Sequence, residues 1–370
     1  MAVRICHMTS VHERIDTRIF LKQCRSLKEE GYEVHLIVSD GNGADCQKDI
    51  HIHDVGRVRS RLSRFSSVAS RILKTAIDLN AEIYHFHDPE LMRIGLKLVR
   101  RGKKVIYDVH EDLPRQIKKK PYLNIFFRTA LPFLIEWYES YAAKRLSYII
   151  TATPFIEKRF LRYNRCTINI NNYPLISELF SGVKWSEKKN KVCFIGGISA
   201  IRGINQLIEA MRHINGTLEL AGEFEHPSDF EKVSRNAGWN NVQYYGFVSR
   251  TGVRKILNEV KVGIIPFLPV PNHINSQPNK IFEYMSAGIP VVGSNFPQWK
   301  DIIEGTNGGI CVDPEKPEEL ARAVNYLLEN DADAQLKGNN ARKAVKEYYH
   351  WELERRKLYK VYHSLLKNIN

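Results

Sequence analysis

The 370-residue sequence is short of cysteine: Cys6, Cys24, Cys46, Cys166, Cys193 and Cys311 stand far apart, with no C-x-x-C pair and no short Cys/His cluster. A disulfide-stapled fold and a zinc site built from neighbouring ligands are excluded, and reduced structural thiols are expected. Apolar runs are short as well. None reaches the roughly 18 residues a membrane-spanning helix needs, and the opening MAVRICHMTS lacks the apolar stretch of a secretion signal. A cytoplasmic chain is expected. Proline (15) and glycine (22) are too few for a low-complexity or fibrous protein.

Acidic residues are in deficit, since 41 Asp+Glu against 55 Lys+Arg leave a formal charge of +14, most of it in the first half of the chain. Such a field attracts nucleic acid, an anionic membrane surface or phosphate-bearing substrates. No helix-turn-helix, zinc finger or aromatic-basic strand pair accompanies it, so no nucleic acid is expected as a partner.

What is present is a repeating βα pattern in a chain longer than one core usually fills. Strands are expected at 3–8, 33–38, 50–55, 83–87 and 104–108, alternating with helices at 18–30, 61–79 and 90–101. Residues 121–144 read as one long helix, kinked or broken near Pro132, followed by strand 148–152 and helix 154–161. A second series runs through strands 191–196, 217–222, 242–245, 262–266 and 290–294, with helices at 203–211, 250–259, 280–287 and 317–329. The last segment, 334–366, reads as one bent helix or two. This alternation predicts an α/β protein of two doubly wound, Rossmann-like domains facing a central cleft. Their expected bounds are 1–173 and 174–349, with a final helix of about 350–370 packing back on the first.

The stretch 278–292, P-N-K-I-F-E-Y-M-S-A-G-I-P-V-V, predicts a helix whose free N–H groups, with Lys280, suit a phosphate. Glu283, one turn on from Asn279, suits the hydroxyls of a ribose. An ordinary amphipathic helix with a solvated glutamate is the plainer alternative. The stretch 194–203, F-I-G-G-I-S-A-I-R-G, offers Gly196 and Gly197 for close approach to a ligand and Arg202 as a phosphate ligand with several donors. Together the two stretches resemble the donor-binding region of family 4 glycosyltransferases of the GT-B fold. The resemblance implies that Glu283 contacts the ribose of a sugar nucleotide, that backbone groups around Pro278–Lys280 match a phosphate-cradling turn, and that Asn279, Lys280 and Ile281 bind the nucleotide. Arg202 stands where the family has a lysine. Gly197 takes the place of its arginine, with Lys280 the replacement charge, and Asn275 takes the place of its first glutamate, toward the transferred sugar.

In the first domain, His85 and His87-Asp88-Pro89-Glu90 follow one strand, and Asp108-Val109-His110-Glu111-Asp112 follow the next. A histidine there serves a sugar hydroxyl or a phosphate, or is simply packed in a loop. The resemblance implies that His110 sits beside the transferred sugar, which makes it a catalytic candidate with Arg202, Lys280 and Asn275. Candidates on the acceptor side are Asp16, Arg18, His87, Asp88 and Glu111, with Asp16 opening the first helix and Arg18 steadying a phosphate.

The implied activity is retaining transfer of a sugar from a nucleotide-diphosphate-sugar, UDP favoured, to a hydroxyl of a glycan or lipid-diphosphate-linked glycan in surface polysaccharide assembly. No obligatory cofactor and no metal are expected. Basic side chains at Arg57, Arg59, Arg61, Arg64, Arg71, Arg115 and Lys118–Lys120, ahead of the aromatic stretch 122–138, suit peripheral contact with an anionic membrane, at the inner face of the cell membrane. The alternatives are a nucleotide-sugar epimerase-like enzyme of the same fold and a non-catalytic basic binding protein.

Overall fold

The computed structural model describes residues 2–57, 67–117, 125–176, 178–180 and 182–367, with side chains from residue 130 onward in helix Ile125–Ala143. The chain divides into two compact units, Met1–Asn172 with Glu352–Asn370, and Tyr173–Trp351.

The first unit is built on strands β1 (Arg4–Met8), β2 (Glu33–Val38), β3 (Asp45–Gln47), β4 (Ile50–Asp54), β5 (Ile83–Phe86), β6 (Lys104–Val109), β7 (Tyr148–Thr151) and β8 (Thr167–Asn169). Their order in the sheet is β3-β4-β2-β1-β5-β6-β7-β8. Every pair is parallel except β3 with β4. The strand order reverses between β1 and β5, and in an open α/β sheet ligands collect at the carboxyl ends of the strands flanking that point.

Because side chains alternate across a strand, this sheet has two different faces. Cys6, Met8, Tyr84, Phe86, Val105, Tyr107 and Val109 form one face, packed with Ile72, Ile94, Ala142 and Phe160 from the covering helices. On the opposite face stand His7, His85, His87 and Asp108, with His7 beside His85 in register, all four almost fully buried. They are covered by the turn and helix Ile19–Glu29 and by helix Trp351–Lys367, which bring Arg18, Gln23 and Tyr362 onto them.

The second unit has six parallel strands, β9 (Lys191–Ile195), β10 (Thr217–Ala221), β11 (Val242–Tyr244), β12 (Val262–Ile265), β13 (Val291–Ser294) and β14 (Gly309–Val312). Their order, β11-β10-β9-β12-β13-β14, reverses between β9 and β12. Its core is continuous from Phe194 and Leu220 through Ile264 and Val292 to Leu327 and Val345.

One expectation, the break near Pro132, differs from the structure, one open alternative is decided, and one helix and strand are additional. Helix Ile125–Ala143 is unbroken, with Pro132 inside it. A proline removes one N–H from the ladder, and a helix of 19 residues retains enough other bonds to continue through it. Segment 334–366 is two helices, Asp331–Tyr348 and Trp351–Lys367, and the Trp351 N–H that opens the second donates to Pro174 O at 2.9 Å. Helix Pro297–Ile303 and strand β14 are not apparent in the sequence, because Gly305, Gly308 and Gly309 interrupt the apolar pattern there. Of the basic clusters, Arg59, Arg61, Arg64 and Lys118–Lys120 lie outside the described residues. Among the described residues, no helix is long and apolar enough to cross a membrane.

Candidate functional site

The second unit's candidate site lies where β9 and β12 part. At the end of β9, Gly196 takes a φ of 115°, a backbone region that disfavours side chains, and a Cβ there would come within 2.5 Å of Lys280 Nζ. At Gly197 a Cβ would collide with the Arg202 guanidinium. The two glycines therefore let two cationic side chains lie directly on the loop. Arg202 Nη1 donates to Gly197 O at 2.8 Å, and Nη2 lies 3.3 Å from Glu225. Phe267, just past β12, carries both cations near its ring, with Lys280 Nζ at 5.7 Å and the Arg202 guanidinium carbon at 5.9 Å. Burial, then the charge of Arg202, push the Lys280 ammonium down to about 8. Among the described residues no acceptor lies within hydrogen-bonding distance of Lys280 Nζ. Of the two carboxylates that act on Lys280, Glu225 is shared with Arg202 and Glu283 with Arg250, so the crowded cations suit a bound polyanion.

Lys280 belongs to helix Asn279–Ala287, whose N-cap residue, Pro278, supplies no side-chain cap, and which ends at Gly288 in the left-handed region at φ 76°. Asn279 is exposed at its start. Ile281 departs from the expectation that it contacts the nucleotide. Its side chain is fully buried in the core and its N–H donates to Pro278 O at 3.1 Å, so neither is open to a ligand. Glu283 is partly buried, and its Oε1 accepts from Arg250 Nη1 at 2.6 Å. Arg250 Nε donates in turn to Glu178 at 2.7 Å. Arg250 escapes sequence reading because it lies 33 positions upstream of Glu283 and opens an unremarkable helix, Arg250–Glu259. Asn275 is exposed in the turn after helix Pro271–Ile274, close in sequence to Gln277, whose buried Oε1 has no partner among the described residues.

In the first unit the sequence candidates separate into buried and accessible groups. Arg18 was expected to steady a phosphate. Instead, it is 4% exposed, donates to both Asp108 oxygens at 2.9 and 2.7 Å and to Ile170 O at 2.9 Å, and has no donor fork left for a ligand. Asp88 and His87, placed on the acceptor side, are also buried. Asp88 Oδ2 accepts from the Ser10 N–H at 2.5 Å and the Thr9 hydroxyl at 2.8 Å, which ties down the turn after β1. Asp16 Oδ1 accepts from the backbone N–H groups of Arg18 and Ile19, both at 2.8 Å, and so holds the start of the first helix. Glu111 stays exposed and accepts from the Gln116 amide. His110 is the accessible histidine of its cluster, with 18% of its side chain exposed and Nε2 3.3 Å from Asp108 Oδ2. His12 carries no motif that singles it out in the sequence. It stands 3.4 Å from Asp88 and 3.6 Å from Asp16, and although burial pulls its imidazolium down, those carboxylates hold it above the ordinary histidine value.

The sequence model described as Glycosyltransferase Family 4 matches residues 17–169, and the one described as Glycosyl transferases group 1 matches residues 189–330, between them most of the chain. The chain belongs to family 4 of the glycosyltransferases and has the GT-B fold. It is 31% identical to the uncharacterized glycosyltransferase MJ1607 of Methanocaldococcus jannaschii over 176 residues, 46% of this chain and 43% of that protein. The match thus spans less than half the length of that relative. Among solved structures, sucrose-phosphate synthase from Thermosynechococcus elongatus superposes with a TM-score of 0.78 at 15% identity, covering 99% of this chain and 100% of that one. Anabaena HepE, solved with UDP and glucose, gives 0.75 at 14% identity, covering 98% and 100%. At such identities the likeness shows the fold.

Proposed function

We propose that this chain is a retaining glycosyltransferase that moves a sugar from a nucleotide-diphosphate donor, UDP-sugar first, to a hydroxyl of a glycan or lipid-diphosphate-linked glycan in surface polysaccharide assembly. The observation that carries the reading is the Gly196-Gly197 loop, with Lys280 and Arg202 laid against it at the β9/β12 reversal. A departing diphosphate gathers negative charge, and preplaced donors stabilise that charge more in the transition state than in the ground state. Arg202 supplies a fork, Lys280 a compact charge and the start of helix Asn279–Ala287 its N–H groups. Glu283, oriented by Arg250, accepts the ribose hydroxyls. Asn275 and His110 orient the transferred sugar, while Asp16 and Glu111 serve the acceptor. The acceptor hydroxyl forms its bond to the anomeric carbon on the face from which the diphosphate leaves, and the diphosphate oxygen takes its proton. The charge is met by Arg202, Lys280 and backbone N–H groups, and no step calls on a metal.

HepE, with UDP and glucose bound, supports uridine as the first base to test. Helix Ile125–Ala143 exposes Phe133, Leu134 and Trp137 at 73, 56 and 60%, a surface suited to the interface of an anionic membrane at the inner face of the cell membrane.

Thermal-shift titration with UDP, GDP, ADP and CMP tests the donor assignment. One diphosphate at about 100 times its Kd raises the midpoint by roughly 5–10 °C. In Glu283→Ala, losing a charged hydrogen bond to ribose weakens affinity about 10- to 100-fold, and the shift shrinks accordingly. An unshifted midpoint with all four nucleotides counts against the reading.

A further inference from the structure

Glu225 lies beside the glycine loop of the second unit, and its role toward a ligand rests on the glycosyl transfer proposed above. It follows strand β10 in the stretch G-E-F-E-H-P, which carries no motif. Gly222 opens that stretch at φ 138°, and a Cβ there would stand 2.1 Å from Gly196 O, so the chain leaving β10 runs directly against the loop leaving β9. One further rung of parallel pairing, Ile198 with Phe224, joins the two beyond the sheet. The Ile198 N–H donates to Glu223 O and the Glu225 N–H to Ile198 O, both at 2.9 Å. The Glu225 backbone is thereby fixed against the glycine loop, and its side chain alone is left to turn.

Glu225 Oε1 lies 3.3 Å from Arg202 Nη2 and 3.7 Å from the point where a Cβ on Gly197 would stand. The carboxylate therefore rests over the glycine that opens the loop to a ligand, beside the guanidinium offered to a phosphate. With 31% of the Arg202 side chain and 42% of that of Glu225 exposed, both are open to a ligand. An ion pair as open as this adds little to stability. Nor is it needed to aim the guanidinium, because Arg202 Nη1 already donates to Gly197 O at 2.8 Å. Neither packing nor orientation accounts for a negative charge at this spot.

The two ligands such a site meets differ in charge. In a sugar nucleotide the terminal phosphate is a diester with a single negative charge. Once the sugar has left, the same phosphate gains a second ionisation at about 6 and carries about two negative charges at pH 7.5. A carboxylate fixed beside the receiving cation repels the doubly charged group more than the singly charged one.

We propose that Glu225 is a specificity-determining residue that, as the resident counter-ion of Arg202, separates the sugar-nucleotide donor from the free nucleoside diphosphate. It yields Arg202 to a singly charged phosphate and opposes a doubly charged one, so that product leaves and the next donor enters. The discrimination comes from a like charge set against the competitor rather than from an added contact to the donor.

Calorimetric titration of the intact chain at pH 7.5 and low ionic strength tests this with three ligand pairs: UDP and UDP-glucose, GDP and GDP-mannose, ADP and ADP-glucose. Wild type is compared with Glu225→Gln and with Glu231→Gln, which makes the same change in net charge at an exposed position of the following helix, Pro227–Ser234. In Glu225→Gln the pair that binds is expected to tighten about three- to tenfold for each unit of charge on the terminal phosphate. The free diphosphate then gains about three- to tenfold more than its sugar nucleotide, and added salt narrows the difference. Glu231→Gln leaves the ratio of the two affinities within about twofold of wild type. A ratio unchanged by Glu225→Gln overturns the proposal and leaves the donor site standing. Weaker binding of both ligands also overturns it, since Glu225 is then a brace for Arg202, and so does an equal change in Glu231→Gln, which is an effect of net charge. Failure of every pair to bind removes the donor site itself, and this role with it.

Discussion

Replacing Arg18 with methionine is expected to cost the first unit about 3–5 kcal/mol, because it leaves a buried carboxylate without its partner. Asp108 has no exposed surface, and Arg18 provides the fixed positive charge bonded to it. The remaining neighbours, Gln23, His87 and His110, offer single hydrogen bonds at 2.7–3.3 Å. Arg18 also donates to Ile170 O, which ends the last strand connection of the unit, so the loss reaches across the sheet. Arg18→Lys retains the charge without the planar fork and is expected to fall between wild type and methionine. Hydrogen exchange of the β1 and β6 amides reads the effect unit by unit. A loss below about 1 kcal/mol in Arg18→Met means that Asp108 is not held as an ion.

The second large effect is acid sensitivity well above the carboxylate range. His7, His85 and His87 are neutral in the folded unit because burial, the dominant cause for each, disfavours the imidazolium. Unfolded, each titrates near 6.5. Their folded values lie below that, so the folded state binds fewer protons. Their contribution is full above about pH 6.5 and is lost as pH falls below it. Each contributes at most about 1.4 kcal/mol per pH unit, so the three together approach 4 kcal/mol per unit. Asp108 adds its own loss only at far lower pH, since Arg18 and the two histidines outweigh burial and keep its carboxyl well below the usual range. His12 works with the opposite sign, because its raised value makes its contribution present below the unfolded value and lost as pH climbs through the folded one. Urea midpoints between pH 7 and 5 check the slope, and His85→Phe should flatten it by about one proton. Equal midpoints at pH 7 and 5 contradict buried neutral histidines.

The fold was legible because its signals are local. Each strand of the first unit is a short apolar run and each covering helix has its own periodicity, so the βα alternation from Arg4 to Val109 can be read without knowing which strands pair. The glycine loop and helix Asn279–Ala287 are likewise contiguous stretches. What could not be read is pairing across sequence distance. Nothing near Arg18 announces that its partner is Asp108, 90 residues on, and an arginine at a helix start reads as a phosphate ligand until the contact is seen. Tyr362 meets His85 across 277 positions. Arg250 and Glu283 are the same case in the second unit. His85, His87 and Asp108 looked like polar residues at strand ends, because a histidine-bearing sheet face is indistinguishable in sequence from a loop bordering a cleft.

In the proposed reading, the Gly196-Gly197 loop, Arg202 and Lys280 bind a nucleoside diphosphate. Calorimetric titration of the intact chain with UDP at pH 7 and pH 9.5, beside Lys280→Met, tests it most directly. With Lys280 near 8 in the free protein, a bound diphosphate favours its charged form, so binding at pH 9.5 must draw in a proton and is weaker. One-to-one binding is expected to weaken about tenfold or more between the two pH values, with proton uptake at the higher one, and both effects are expected to be absent in Lys280→Met. UDP binding of equal strength at both pH values, unchanged by Lys280→Met, contradicts it.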